Sequence, residues 1–81
     1  MAILTNYHFT LRCGGTPNAM DSVDGNDLLD GDRCYIIEAG VFYTFWLDAD
    51  NGGVDNSATT KTIIAPDTNA GLKRWLKCTI G

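Results

Sequence analysis

The sequence predicts an all-β domain: a small antiparallel β-barrel or β-sandwich of about five strands with long polar loops. Three observations carry this. Apolar and polar residues alternate at period two in the first apolar segment, residues 7–13. No segment sustains a 3.6-residue period. Clusters of Gly, Pro, Asn and Asp separate the apolar runs at short intervals, as turns do. With 81 residues the chain is read as a single β domain, 1–81.

Residues 4–13 place Tyr7, Phe9, Leu11 and Cys13 on one face and His8, Thr10 and Arg12 on the other, the pattern of a half-buried strand. Gly14-Gly15-Thr16-Pro17-Asn18 ends it. Residues 18–32 are polar and acidic and read as a loop with one helical turn near residues 26–29. Leu28 and Leu29 are its expected anchors, and Asp30-Gly31-Asp32 is a tight turn. Cys34-Tyr35-Ile36-Ile37 and residues 41–47 then form a β-hairpin around Glu38-Ala39-Gly40.

The second arm of the hairpin is apolar at nearly every position, so one of its faces needs cover from loops or a partner. After a polar loop, residues 61–65 are a further strand candidate, stopped by Pro66-Asp67. Residues 68–71 form a turn. Residues 74–80 close the chain, with Leu76, Cys78 and Ile80 as the expected core positions.

Composition narrows the function. Net charge is −4 and the pI is near 4.5, a poor match to nucleic acid, whose binding depends on a basic surface. Near Trp75, Lys73 and Lys77 are read as solvated residues of a strand. The longest apolar runs are a few residues, against about 20 for a membrane span. The N-terminus has no basic start followed by an apolar stretch, so no signal peptide is expected and synthesis is placed in a cytoplasm.

The three cysteines, Cys13, Cys34 and Cys78, form no CxxC pair, which disfavours zinc. They read as small buried hydrophobes, with one disulfide plus a free thiol left open for oxidising surroundings.

Chemistry-bearing motifs are sparse. The one histidine, His8, sits within a strand pattern and makes a poor catalytic base. Asp48-Ala49-Asp50-Asn51 resembles the start of an EF-hand loop. Gly52 and Thr59 stand where that motif needs Asp or Asn and a bidentate Glu. Asp24, Asp27, Asp30 and Asp32 are read as turn formers ahead of a calcium site. A cleft between paired carboxylates has little room in so small a domain. No catalytic residue, metal or cofactor is predicted.

The blocks Leu29-Asp30-Gly31-Asp32, Gly40-Val41-Phe42-Tyr43, Leu47-Asp48-Ala49-Asp50, Ile63-Ile64-Ala65-Pro66-Asp67, Asn69-Ala70-Gly71 and Arg74-Trp75-Leu76 occur in that order over residues 29–78. In order and spacing they resemble a short β module of bacteriophage tail fibres, tailspikes and other virion structural proteins. The loop after Asp48-Ala49 departs from that pattern, carrying Gly52-Gly53-Val54-Asp55.

The resemblance implies a virion structural protein, a capsid decoration or a tail or fibre component. It would be made in the host bacterial cytoplasm and act through contacts with itself and other virion proteins. The alternative is a glycan- or receptor-binding module, with Tyr43, Trp46 or Trp75 stacking on sugar. The interface or ligand-facing candidates are Phe42, Tyr43, Phe45 and Trp46. Asp67, Arg74 and Trp75 are candidates for a structural clamp, Arg74 pairing with Asp67 or Asp48 while Trp75 covers the core.

Overall fold

The computed structural model describes residues 3–68 and 71–78. Its strands are β1 (Asn6–Phe9), β2 (Arg33–Glu38), β3 (Val41–Asp48), β4 (Ile63–Ile64) and β5 (Arg74–Lys77). Between β1 and β2 lie two single turns of 3₁₀ helix, Met20–Ser22 and Gly25–Asp27. The domain is thus mostly β, with five strands in one sheet in the order β1-β2-β3-β5-β4.

The sheet corrects the expected architecture in two respects. It is mixed, because β1 runs parallel to β2 while the β2–β3, β3–β5 and β4–β5 pairs are antiparallel. It is also open: β1 and β4 are its edges and do not meet, so no barrel closes. The parallel pair requires a long crossover, and residues 10–32 supply it. The expected first strand is accordingly shorter. The Thr10 and Leu11 amides leave the sheet and donate to the Asn18 carbonyl at 3.2 and 3.1 Å.

The β2–β3 hairpin is as the alternation predicts, with Glu38 opposite Val41. Its turn residues Ala39 and Gly40 have φ of 52° and 80°, the left-handed pair of a type I′ turn. Gly40 takes that conformation freely, whereas Ala39 is held in it by the strands on either side.

Alternation along each strand sends Cys34 and Ile36, Phe45 and Leu47, Ile64 and Trp75 to one face. There they meet Met20 and Leu28 from the crossover, with Tyr7 and Phe9 packed against the cluster. Leu29 stays exposed and does not anchor the loop.

The last strand has the opposite parity to the one expected. Leu47 pairs with Trp75, which puts Trp75 in the core, and Leu76 pairs with Trp46 on the other face. Cys78 is half-buried, and Ile80 lies outside the described residues.

One buried carboxylate joins the crossover to the sheet. Asp32 is 1% exposed. Its Oδ1 accepts from the Thr5 amide and its Oδ2 from the Leu29 amide, each at 2.9 Å. Its backbone N–H donates to the Leu29 carbonyl, and its carbonyl accepts from the Leu47 amide. A buried carboxylate is costly unless donors surround it, and here backbone amides do so. Asp32→Ala should leave the Thr5 and Leu29 amides unpaired and lower unfolding free energy by about 3 kcal/mol in urea titration. Asp32→Asn, which keeps one acceptor, should lose less.

Candidate interaction surface

The face of the sheet opposite the core is divided in two. On the β5–β4 half, the loop after β3 folds back over the strands. The Asn51 and Gly52 amides donate to the Leu72 carbonyl at 3.0 Å. Arg74 Nε donates to the Gly53 carbonyl at 2.8 Å, and Gly53 lies against the Ile63 side chain.

The β1–β2–β3 half has no such cover. His8, Tyr35 and Phe42 stand there in series across three strands. The His8 and Tyr35 ring centroids are 5.5 Å apart, and those of Tyr35 and Phe42 are 6.2 Å apart with planes within 3° of parallel. Ile37, opposite Phe42 in the hairpin register, is 64% exposed, and Phe42 is 60% exposed. These side chains, with Phe9 and Thr10, line a shallow, largely apolar cavity of about 430 Å³.

The candidate interface residues separate by strand parity. Phe42 and Trp46 lie on the partly open face, Phe42 well exposed and Trp46 half-buried. Phe45 belongs to the core and is fully buried, so it is not available as an interface residue. Tyr43 shares the core-side parity and is half-buried, with the Arg12 guanidinium carbon 4.0 Å from its ring centroid. His8, Tyr35 and Ile37 complete the exposed surface in their place. The alternation of β2, set in register with Phe42, was the available signal for Tyr35 and Ile37.

Of the expected clamp, Trp75 does cover the core, but the pairing of Arg74 with Asp67 or Asp48 does not form. Arg74 donates to the Gly53, Gly71 and Lys73 carbonyls rather than to a carboxylate. Asp67 instead joins the crossover through its backbone: its amide donates to the Val23 carbonyl, and its carbonyl accepts from the Gly25 amide. Trp75 fills the core, with Tyr7 edge-on at 6.0 Å, and its Nε1 has no partner among the described residues. Lys73 is not merely solvated. Its ammonium donates to the Gly25 and Leu28 carbonyls at 2.7 and 2.8 Å and pins the second 3₁₀ turn.

Most aspartates of the acidic crossover accept from backbone amides. Asp24 accepts from Asn26, Asp30 from Ala49, and Asp21 from Gly14 and Gly15. Among the described residues no cluster of His, Cys, Asp and Glu is arranged to hold a metal ion. His8 has no hydrogen-bonded carboxylate there that would orient it as a base. The three cysteines are free thiols, and burial pushes the Cys34 thiol up to about 12. No helix among those residues is long and apolar enough to cross a membrane. No known protein family, curated protein or solved structure matches the chain.

Two carboxylates hold their charge against acid. Glu38 Oε1 accepts from both the Arg12 side chain and the Arg12 amide at 2.9 Å, and the side-chain bond holds its carboxyl below the usual range. Burial alone would raise Asp55, but hydrogen bonds from the Ser57 amide and hydroxyl and the Ala65 amide, with the Arg74 charge, outweigh it and bring it below its ordinary value. A depressed carboxylate pKa contributes stability above the unfolded value of about 4, and that contribution fades as pH falls through the folded value. Chemical denaturation from pH 6 down to pH 2 should therefore show falling stability below about pH 4.5. Glu38→Gln should make that fall shallower.

Proposed function

We propose that the chain is a virion structural module of a bacteriophage, a capsid decoration or a tail or fibre component, working by protein–protein assembly rather than catalysis. The observation that carries this reading is the uncovered half-face of Tyr35, Ile37 and Phe42. These side chains sit on the β2–β3 hairpin, while the β4–β5 half of that face is roofed by the chain's own loop. Clustered exposed apolar side chains on a small domain mark a surface that another protein covers. The resemblance of residues 29–78 to virion β modules agrees with it.

Partners in this reading are further copies of the chain and neighbouring virion proteins, and the site of action is the virion. Packing such a face against another sheet would complete the two-layer sandwich that the isolated sheet lacks. The acidic charge makes nucleic acid a poor partner, and the reading places the protein on neither a membrane nor a cofactor. A second reading has one observation in its favour. The nearly parallel Tyr35 and Phe42 rings offer a stacking surface for a sugar of the host envelope.

Light scattering over a range of concentrations tests the assembly reading. The wild type should form a discrete oligomer. Phe42→Asp or Ile37→Asp should each weaken it by about a hundredfold, roughly 3 kcal/mol, because each replaces buried apolar area with a charge. A wild-type monomer at all concentrations would contradict assembly through its own copies. Retention of such a monomer on a glycan array, abolished by Tyr35→Ala, would favour the second reading.

A further inference from the structure

The two edges of the sheet are not equivalent. At the β4 edge, Ile63 turns its backbone away from β5, and Asn56 takes up both groups. The Asn56 side chain accepts from the Ile63 amide, and the Asn56 amide donates to the Ile63 carbonyl, each at 2.8 Å. The neighbouring Ala65 amide is held by Asp55 Oδ2 at 3.2 Å. That edge is closed by the chain itself.

The β1 edge is different. The Thr5 carbonyl accepts from the Arg33 amide, so in the parallel register Thr5, Tyr7 and Phe9 direct their backbone groups to β2. Asn6 and His8 therefore direct theirs outward. Among the described residues nothing pairs with these outward N–H and C=O groups. β1 is short, which limits the contact to Asn6 and His8, and it carries no Asp, Glu, Lys, Arg or Pro, the residues by which exposed edges are often protected.

Resting on the assembly reading above, we propose that β1 is a homotypic edge at which a second copy of this chain adds its own β1, antiparallel, about a two-fold axis at Tyr7. The register selects this occupant. Alternating outward N–H and C=O groups are matched by an extended backbone. Only residues of one parity point outward, and in an antiparallel pair they are the ones that exchange both bonds.

Centred on Tyr7, the pairing sets Asn6 against His8 of the second copy and His8 against Asn6 of the second copy. Every outward group of the two residues then has a partner, with none left over. The opposed Asn6 and His8 side chains are both polar, and the pairing sets His8 against Asn6 rather than against a second His8, so the contact lacks the like-charge repulsion that opposes self-pairing. The contact is isologous and closes as a dimer. It also makes one continuous sheet in which the two open aromatic half-faces lie side by side.

Amide hydrogen exchange on the full chain, at low and high concentration, tests this alongside the solution mass of Asn6→Pro. Proline at that position removes only an outward-pointing donor at a strand start, which leaves the β1–β2 ladder intact. The Asn6 and His8 amides should exchange at least about tenfold more slowly at high concentration, while Asn6→Pro should give a smaller assembly than the wild type with its near-ultraviolet Trp signal retained. If Asn6→Pro fails to fold, the exchange data on the wild type decide alone.

An oligomer in which both amides exchange as freely as in dilute protein would overturn the edge and leave the assembly reading standing. So would a folded Asn6→Pro with the same solution mass as the wild type at every concentration. A wild-type monomer throughout would overturn both.

Discussion

The buried carboxylate of Asp32 is the constraint on which the rest of the structure depends. Within one residue it joins the entry to β1, through the Thr5 amide, to the end of the crossover, through the Leu29 amide. Its backbone continues to β3 through the Leu47 amide. Because its acceptors are directed at backbone donors, it sets where chain segments lie and not merely that they touch. β1 is thereby laid parallel to β2, and the crossover must pass over one face of the sheet to make that connection. Met20 and Leu28 cover the core on that face because the crossover is held there.

The opposite face follows from the same arrangement. The chain has one long crossover and one long loop after β3. The crossover is used on the core side. The later loop is tied by Asn56 to Ile63, by Gly53 to Arg74 and by the Ser57 carbonyl to the Cys13 thiol, and on this face it covers the β4–β5 half. No segment among the described residues remains to roof the β1–β2–β3 half, where the His8, Tyr35 and Phe42 rings stand in series. The open edge and the open half-face are thus two results of one distribution of loops. Both lie on the β1 side of the molecule, where the proposed assembly would use them together.

The parts of the fold legible in the sequence were those set by near neighbours. The hairpin was readable because Gly40 stands between two strand-like runs, and the alternation in β2 marked Cys34 and Ile36. The parity of β5 was not readable, since Trp75 and Leu76 are both apolar and the choice between them comes from pairing with Leu47 on another strand. Phe45 and Phe42 look alike in an almost uniformly apolar run, and only the sheet's core-side cover distinguishes them.

The parallel placement of β1 rests on a carboxylate-to-amide bond spanning 27 residues, which leaves no local pattern. Met20 was hidden for a related reason: an isolated apolar residue in an acidic loop has no period to announce its burial. Lys73, read as solvated, is held by carbonyls more than forty residues away in sequence.

The measurement that bears most directly on this account is the pattern of cross-strand nuclear Overhauser effects between residues 5–9 and 32–36. The account predicts contacts in parallel register, with Tyr7 beside Cys34 and Phe9 beside Ile36, together with a slowly exchanging Thr5 amide held by Asp32. Contacts running in the antiparallel sense, or a freely exchanging Thr5 amide, would contradict it. They would also remove the basis for the open edge and the open face.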